Sequence, residues 1–230
     1  NMKASLTLTE TLEQIISSAG YLGPELLLFA GLMVLIIADL FVPRESNKVL
    51  NWLALFTTLF CLAFCLVQFK RLPAEGLELF NGLLLLDQTA VFFKVICSLG
   101  GFLSVLMQMG IRRDKGQGEF LSLLLTLVLA TLFMSMSRHL LSIYLSIELA
   151  SIASYALAGF RFDKGSAEAS LKYILFGALS SAVMLYGFSW LYGLTGTLDM
   201  ANPAFVQGLE AASLPMLSIA LVLSLAGLFF

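Results

Sequence analysis

Two ionisable side chains lie inside neighbouring apolar stretches of this chain. Glu148 lies in the run HLLSIYLSIELASIASYALAGF, and Lys172 lies in the run SAEASLKYILFGALSSAVMLYG. A charged side chain at the centre of a membrane helix costs about 2.5–3.5 kcal/mol on insertion scales. Such residues occur mainly where a membrane protein binds or moves ions. The pair therefore indicates a proton or ion pathway.

Three other polar side chains are predicted to share one helical face with Glu148. They are Tyr144, Ser151 and Tyr155, and residues spaced three, four or seven apart meet on the same side of a helix. We expect this stripe to face protein or water rather than lipid, and to line the pathway. The alternative interpretation is a static ion pair or hydrogen bond between two helices.

The depth of Lys172 in its helix leaves two interpretations open. The two helices are neighbours, so both depths can be measured from the end where they are connected. If the second helix begins near Ala167, Lys172 lies about 8 Å from that end and Glu148 lies about 18 Å from it. An axial offset of about 10 Å is too long for a direct ion pair, so water or a third side chain would have to link the two groups. In the other interpretation the Lys172 ammonium snorkels to the membrane surface.

The remaining charged residues of the apolar stretches lie close to their ends. Glu25 and Asp39 lie near the two ends of the first stretch, and Lys94 lies near the start of the third. We predict that these three are end anchors or snorkelling residues. Glu168 is predicted in the first turn of its helix, where a carboxylate complements the helix dipole.

Composition is typical of a membrane protein and argues against several other classes. The chain has 230 residues, of which 59% are hydrophobic and only 12% are charged. That is about half the charged fraction of an ordinary soluble domain. The chain has no basic stripe with interleaved aromatic residues, which argues against a nucleic-acid partner. No motif for nucleotide hydrolysis, metal binding or dinucleotide binding is present, so no cofactor and no metal is predicted in this chain.

The predicted fold is all-α, a polytopic transmembrane helical bundle that forms a single transmembrane domain over residues 1–230. Backbone polar groups in lipid must bond within their own segment, so apolar stretches near 20 residues long become helices. Residues 1–20 are predicted to be an extramembrane segment with a short surface helix. Asn81-Gly82 predicts the turn of an external hairpin, with a half-buried flap as the alternative. Seven spans are predicted, at about 22–42, 50–69, 89–110, 119–137, 139–160, 167–193 and 214–230.

The distribution of Lys and Arg between the loops predicts the orientation in the membrane. Cytoplasmic loops carry an excess of these residues. The odd-numbered loops hold more of them than the opposite side, which predicts that these loops are cytoplasmic and that the N-terminus is outside. The odd-numbered loops contain Arg44, Lys48, Arg112, Arg113, Lys115, Arg161 and Lys164, and the opposite side contains Lys3, Lys70, Arg71 and Arg138.

Three strings of the sequence resemble a known family. They are PELLLFAGLMVLIIADLF, GEFLSLLLTLVLATLFMSMSRHLLSIYLSIELASIASYALAGF and SAEASLKYILFGALSSAVMLYGFSWLYGLTGTL. They resemble the subunit N family of antiporter-like membrane subunits in the proton-pumping NADH-quinone oxidoreductase, respiratory complex I. EASLKY followed by GALSSA, and Ile147 where the larger antiporter-like subunits have Trp, favour subunit N over those subunits.

The resemblance implies a function and a role for each site residue. That family has about fourteen transmembrane helices with inverted repeats, so this chain would be its N-terminal half. Glu148 matches the glutamate of the family's proton channel, and Lys172 matches the lysine of the next helix. A further lysine, the main cationic partner of Glu148, would follow Phe230. The implied enzyme is a proton-translocating NADH:quinone oxidoreductase whose NAD, FMN, Fe-S clusters and quinone are bound by other subunits. The implied partners are the other membrane subunits of the complex and the lipid bilayer, and the implied location is the bacterial inner membrane.

Two other functions stay open at this point. One is a subunit of a multi-subunit cation/proton antiporter, which would exchange ions without redox chemistry. The other is a non-transporting membrane scaffold, in which Glu148 and Lys172 serve assembly.

Overall fold

The computed structural model describes residues 8–41, 47–72, 76–110 and 116–229, which form a bundle of helices with one small β-hairpin. The all-α prediction is confirmed. The elements in chain order are α1 (Leu8–Gly20), α2 (Gly23–Phe41), α3 (Asn47–Arg71), β1 (Leu77–Leu79), β2 (Leu84–Leu86), α4 (Gln88–Met109), α5 (Gln117–Met136), α6 (Leu140–Ala158), α7 (Lys164–Thr195), α8 (Pro203–Ala211) and α9 (Leu214–Leu228).

Helices α2 to α7 are long and apolar enough to cross a membrane. They correspond to the first six predicted spans. The seventh predicted span corresponds to α9, which has 15 residues and is shorter than a typical span. The prediction did not include α8, although its start carries a clear signal. The Asn202 side chain accepts a hydrogen bond from the Ala204 amide at 3.0 Å, and Pro203 begins the helix.

Helices α2 to α5 pack around a shared apolar core. Leu35 of α2, Leu50 of α3, Val105 of α4 and Leu121 of α5 all lie in one buried cluster. Because α5 contacts α2, α3 and α4 and also packs along α6, it connects this four-helix unit to the rest of the chain.

Helices α6, α7 and α9 form a second packed group. Met184 and Phe188 of α7 are buried against Leu140 of α6 and Ala220 of α9. α9 approaches α7 so closely that a side chain at Gly187 would meet the backbone of Ser224. This close contact is possible because glycine has no side chain to separate the helices.

The predicted hairpin is present between α3 and α4. Its strands are antiparallel, with Leu79 opposite Leu84 and Leu77 opposite Leu86. Asn81 and Gly82 in the connecting loop have φ of 55° and 86°, the left-handed conformation that this dipeptide favours. Because Leu79, Leu84 and Leu86 are buried, the hairpin covers one end of the bundle. We call this end the hairpin end.

Arg138 joins three segments at the hairpin end. It lies between α5 and α6, and its Nη1 lies 2.5 Å from Glu78 Oε1 in β1. Its Nε lies 3.4 Å from Asp199 Oδ1, after α7. The hydrogen bond to the Glu78 carboxylate raises the pKa of the Arg138 guanidinium above its ordinary value. The next residue, His139, begins α6 by accepting a hydrogen bond from the Leu141 amide at 3.2 Å.

Candidate functional site

Glu148 lies near the middle of a membrane-spanning helix. It is the ninth of the 19 residues of α6, so it lies about 12 Å from the first residue and about 15 Å from the last. Its side chain is half-buried, and Oε1 is buried with no hydrogen-bond partner among the residues that the structure describes. A buried charged oxygen without a partner is costly, so this carboxyl group is well suited to take up a proton or to face a mobile cation.

Tyr144 and Ser151 lie one turn on either side of Glu148. Both are half-buried, and Tyr144 is close enough to Glu148 to interact with its charge. A groove of about 230 Å³ runs past Tyr144 between α6 and α7, with Leu185 and Phe188 on its opposite wall. The structure therefore places Tyr144 within range of the Glu148 charge, and Ser151 lies one turn further along the same helix.

Tyr155 is part of the contact between α6 and α7. Its hydroxyl group occupies the space that a side chain at Gly177 would need, and its ring meets Tyr173 edge-on with centroids 4.7 Å apart. The Ser170 hydroxyl of α7 also donates a hydrogen bond to the Tyr155 carbonyl at 2.8 Å. Tyr155 is therefore packed between the helices.

Lys172 lies on the surface of the chain and pairs with a neighbour on its own helix. Its Nζ lies 2.6 Å from Glu168 Oε1, one turn earlier, and the two side chains are 65% and 66% exposed. The prediction that Glu168 lies in the first turn is wrong, because α7 begins at Lys164. Asp163 caps that helix by accepting a hydrogen bond from the Ser166 amide at 2.7 Å.

The earlier start of α7 also changes the depth of Lys172. A helix of 32 residues is about 48 Å long, which exceeds the ~30 Å hydrocarbon layer. If α7 is centred in that layer, Lys172 lies about 4 Å inside its edge. An ammonium at that depth can reach the membrane surface.

The structure does not bring Glu148 and Lys172 together. The contacts of Tyr155 with Ser170 and Gly177 define the axial position of α6 relative to α7. In this antiparallel pair Glu148 lies level with about residue 180, which is about 12 Å along the axis from Lys172. This agrees with the offset expected from the sequence, so a direct ion pair between the two residues is not formed.

The sequence-based prediction for Glu25 and Lys94 is wrong. Lys94 Nζ lies 2.8 Å from Glu25 Oε1, and the two side chains are 0% and 1% exposed. They turn inward towards each other instead of outward to the membrane surface. The sequence carries only a partial signal: Glu25 is the third residue of α2, Lys94 is the seventh residue of α4, and both helix starts lie at the hairpin end.

Asp39 also differs from the prediction of a surface anchor. Its carboxylate lies beside Gly118, in the space that a side chain at this residue would need. Gly118 is in the first turn of α5. A carboxylate at that position complements the positive end of the α5 dipole.

A family model described as "NADH:quinone oxidoreductase/Mrp antiporter, TM" matches residues 137–230. The matched segment contains both Glu148 and Lys172, together with helices α6 to α9. It begins after α5 and so does not include the Glu25–Lys94 pair.

Curated proteins extend the similarity over most of the chain. The NADH-quinone oxidoreductase subunit N of an Anaeromyxobacter species is 38% identical over 205 residues, which cover 87% of this chain and 39% of that protein. The NAD(P)H-quinone oxidoreductase subunit 2 of Gloeothece citriformis is 36% identical over 220 residues, which cover 93% of this chain and 42% of that protein.

Solved structures show the same architecture. A chain of respiratory complex I from Thermus thermophilus matches with a TM-score of 0.72 and 27% identity, over 90% of this chain and 43% of that chain. A chain of an archaeal membrane-bound sulfane sulfur reductase matches with a TM-score of 0.77 and 21% identity, over 92% of this chain and 44% of that chain. At that identity the second match shows the fold alone.

The chain spans about two-fifths of the length of the curated relatives it matches. The resemblance is therefore confirmed, and the chain is homologous to subunit N, an antiporter-like membrane subunit of NADH-quinone oxidoreductase.

Proposed function

We propose that this chain is the proton-translocating part of an antiporter-like subunit in the membrane arm of an NADH-quinone oxidoreductase. The observation that carries the proposal is Glu148, a mid-helix carboxyl group whose Oε1 is buried and has no hydrogen-bond partner among the described residues. Glu148 also lies in the segment that matches the family model.

Glu148 would work by alternating between a protonated and an ionised form. In general, a nearby cation favours the ionised form of a carboxyl group, and its departure favours the protonated form. Movement of a cation towards or away from Glu148 would therefore load or release a proton. The resemblance implies that a lysine on the helix matching α9 supplies this cation. Tyr144 and Ser151 would offer hydroxyl groups to water or to the moving proton on the same face.

Lys172 would hold or pass the proton near the start of α7. Its ammonium is exposed, and Glu168 at 2.6 Å balances its charge. Since Lys172 and Glu148 differ by about 12 Å along the helix axis, water or another side chain would complete the path between them. Tyr155 lies between their levels in the α6–α7 contact and would form part of the wall.

The energy for translocation would come from other subunits. Electron transfer from NADH to quinone would take place there, with NAD, FMN and Fe-S clusters, and this chain would respond through charges and water in the membrane arm. The protein would lie in the bacterial inner membrane with its N-terminus outside. Its direct partners would be the other membrane subunits of the complex.

A multi-subunit cation/proton antiporter is the second candidate, because the description of the matching family model names the Mrp antiporter beside the oxidoreductase. The two candidates differ in their energy source. Proton movement that requires NADH and quinone would favour the first candidate. Proton exchange driven by a Na⁺ or K⁺ gradient without an electron donor would favour the second.

The test uses the full-length protein in its complex, reconstituted in vesicles. Glu148→Gln removes the ionisable group and keeps its size, so we expect fewer protons pumped per electron while assembly is retained. Glu210→Gln is the matched control, because Glu210 is an exposed carboxylate of α8. Equal proton-to-electron ratios for Glu148→Gln and for the unmodified complex would remove Glu148 from the path.

A second pair of variants tests Lys172. Lys172→Arg keeps a positive charge that does not release its proton at ordinary pH, whereas Lys172→Met removes the charge. If Lys172 only balances Glu168, we expect Lys172→Arg to behave like the unmodified protein. If Lys172 passes protons, both variants lower the pumping ratio, which is the result that the proposal predicts.

A further inference from the structure

The most completely buried charges among the described residues lie outside the proposed proton path. Glu25 is the third residue of α2, and Lys94 is the seventh residue of α4. Their side chains are 1% and 0% exposed, and Glu25 Oε1 lies 2.8 Å from Lys94 Nζ. The family model matches only residues 137–230 and so covers neither residue.

A third helix takes part in this pair. Gln68, near the end of α3, accepts a hydrogen bond from Lys94 Nζ at 3.5 Å through its side-chain oxygen. The amide nitrogen of the same side chain donates to the Tyr21 carbonyl, just before α2, at 2.9 Å. The pair and Gln68 therefore connect α2, α3 and α4 at the hairpin end.

Apolar residues separate this pair from α6. Leu28 of α2 and Cys61 and Cys65 of α3 pack against Val128 and Leu132 of α5 in one buried cluster. The thiols of Cys61 and Cys65 in α3 lie within range of the charges of the pair. The acidic residue of α5, Glu119, lies in the first turn of that helix, at the end of the bundle opposite the hairpin. The described residues of α5 thus offer no acid or base between the pair and α6.

We infer that Glu25 and Lys94 form an electrostatic lock that fixes α2, α3 and α4 to one another, and that the pair takes no part in proton transfer. Each charge alone is unfavourable inside a membrane, so each helix is stable there only when the other is beside it. The lock also determines the surface on which α5 packs. Since α5 in turn packs along α6, Glu25 and Lys94 are positioning residues for the helix that carries Glu148.

The lock can be tested by a double-mutant cycle in the full-length protein. Glu25→Gln leaves the Lys94 ammonium without its carboxylate, and Lys94→Met leaves the carboxylate without its ammonium. Removing one partner of a buried pair is strongly destabilising, whereas replacing both with neutral groups is often tolerated. We therefore expect each single variant to reduce the amount of folded protein in the membrane on the order of tenfold, and the double variant to recover most of it.

The amount of folded protein is measured in purified membranes, and the unfolding temperature is measured after solubilisation in detergent. Glu210→Gln is again the control and is expected to match the unmodified protein. Single variants as abundant and as stable as the unmodified protein would overturn the inference. A double variant no more abundant than the single variants would also overturn it, because the loss would then not come from an unpaired charge.

A second measurement separates a lock from a proton site. The recovered double variant is placed in its complex in vesicles, and protons pumped per electron are measured. A lock predicts the ratio of the unmodified complex, because the pair only holds helices together. A lowered ratio with normal assembly would instead show that the pair exchanges protons. The abundance and stability measurements do not depend on the proposed function, so a failure of that proposal would be distinguishable from a failure of the lock.

Discussion

The two halves of this chain differ in whether the charged side chains of their membrane helices are paired. In the unit α2–α5, Glu25 and Lys94 are fully buried and face each other at 2.8 Å. In α6 and α7, the Glu148 carboxyl has a buried oxygen without a described hydrogen-bond partner, and Lys172 is exposed. A buried ion pair stabilises helix packing, whereas a carboxyl group without a hydrogen-bond partner is free to change its protonation state. The role of a charged residue in this membrane protein therefore depends less on its position in the sequence than on whether an oppositely charged side chain lies beside it.

The largest expected difference between the two regions is in stability. Lys94→Met leaves Glu25 unpaired in the core, and we expect it to lower the free energy of unfolding by about 3–5 kcal/mol. Glu148→Gln removes a charge that has no described partner, and we expect a change within about 1 kcal/mol. Denaturant unfolding of the full-length protein in detergent measures both values. Equal losses for the two variants would mean that both charges serve packing.

The next largest change in stability is expected at the contact between α7 and α9, which pack beside α6, the helix that carries Glu148. Gly187→Ala places a methyl group against the Ser224 backbone, and we expect it to lower the free energy of unfolding by about 1–3 kcal/mol. Gly193→Ala on the same helix is the control, since the space beside Gly193 is open. We expect the control to be neutral or to stabilise the helix by about 0.5–1 kcal/mol. The interpretation of a tight α7–α9 contact fails if both variants have the same thermal stability.

A smaller loss of stability is expected when the ion pairs at the hairpin end are removed. Arg138→Met removes the ion pairs with Glu78 and Asp199. Because Glu78 is exposed, we expect a loss of only about 1 kcal/mol. Amide hydrogen exchange in β1 and β2 should become faster. Arg161→Met removes a pair with Asp163 that is exposed on both sides, so the same amides should exchange at their original rates. Unchanged exchange in Arg138→Met would show that the hairpin is held by its buried leucines alone.

The smallest effect is a pH dependence at the start of α7. The hydrogen bond from the Ser166 amide lowers the pKa of the Asp163 carboxyl below its ordinary value. A carboxyl whose folded pKa is lowered stabilises the folded state above its unfolded pKa of about 4 and loses that effect as the pH falls through the folded value. Amide exchange in the first turn of α7 should therefore accelerate in this window. In Asp163→Asn that acceleration should be absent, and its persistence would assign the pH dependence to another group.

Much of the fold could be predicted from composition and from the length of the apolar stretches. A membrane span must satisfy its backbone internally, so an apolar run near 20 residues long becomes a helix. The position of Glu148 follows from the same argument, because it lies near the centre of such a run. The Asn81-Gly82 turn was predictable because that dipeptide favours the left-handed backbone. By contrast, the apolar run predicts too late a start for α7, because the Asp163–Ser166 cap precedes that run.

The pairing of Glu25 with Lys94 could not be predicted in the same way. The two residues lie 69 positions apart, and each is close enough to a helix end for snorkelling to be an equally good interpretation. Only the packing of α2 against α4 decides which way the side chains turn. Likewise, no pattern in the sequence indicates that Tyr155 packs against Gly177 while Tyr144 stays beside Glu148.

Infrared difference spectroscopy of the working complex can show whether Glu148 changes its protonation state, because it detects a carboxyl group that gains or loses a proton. The complex is compared with and without NADH and quinone, in the unmodified form, in Glu148→Gln and in the Glu25→Gln/Lys94→Met double variant. If Glu148 carries the proton and the Glu25–Lys94 pair only holds helices together, a carboxyl signal disappears in Glu148→Gln and persists in the double variant. A signal that persists in Glu148→Gln and disappears in the double variant would reverse these two roles.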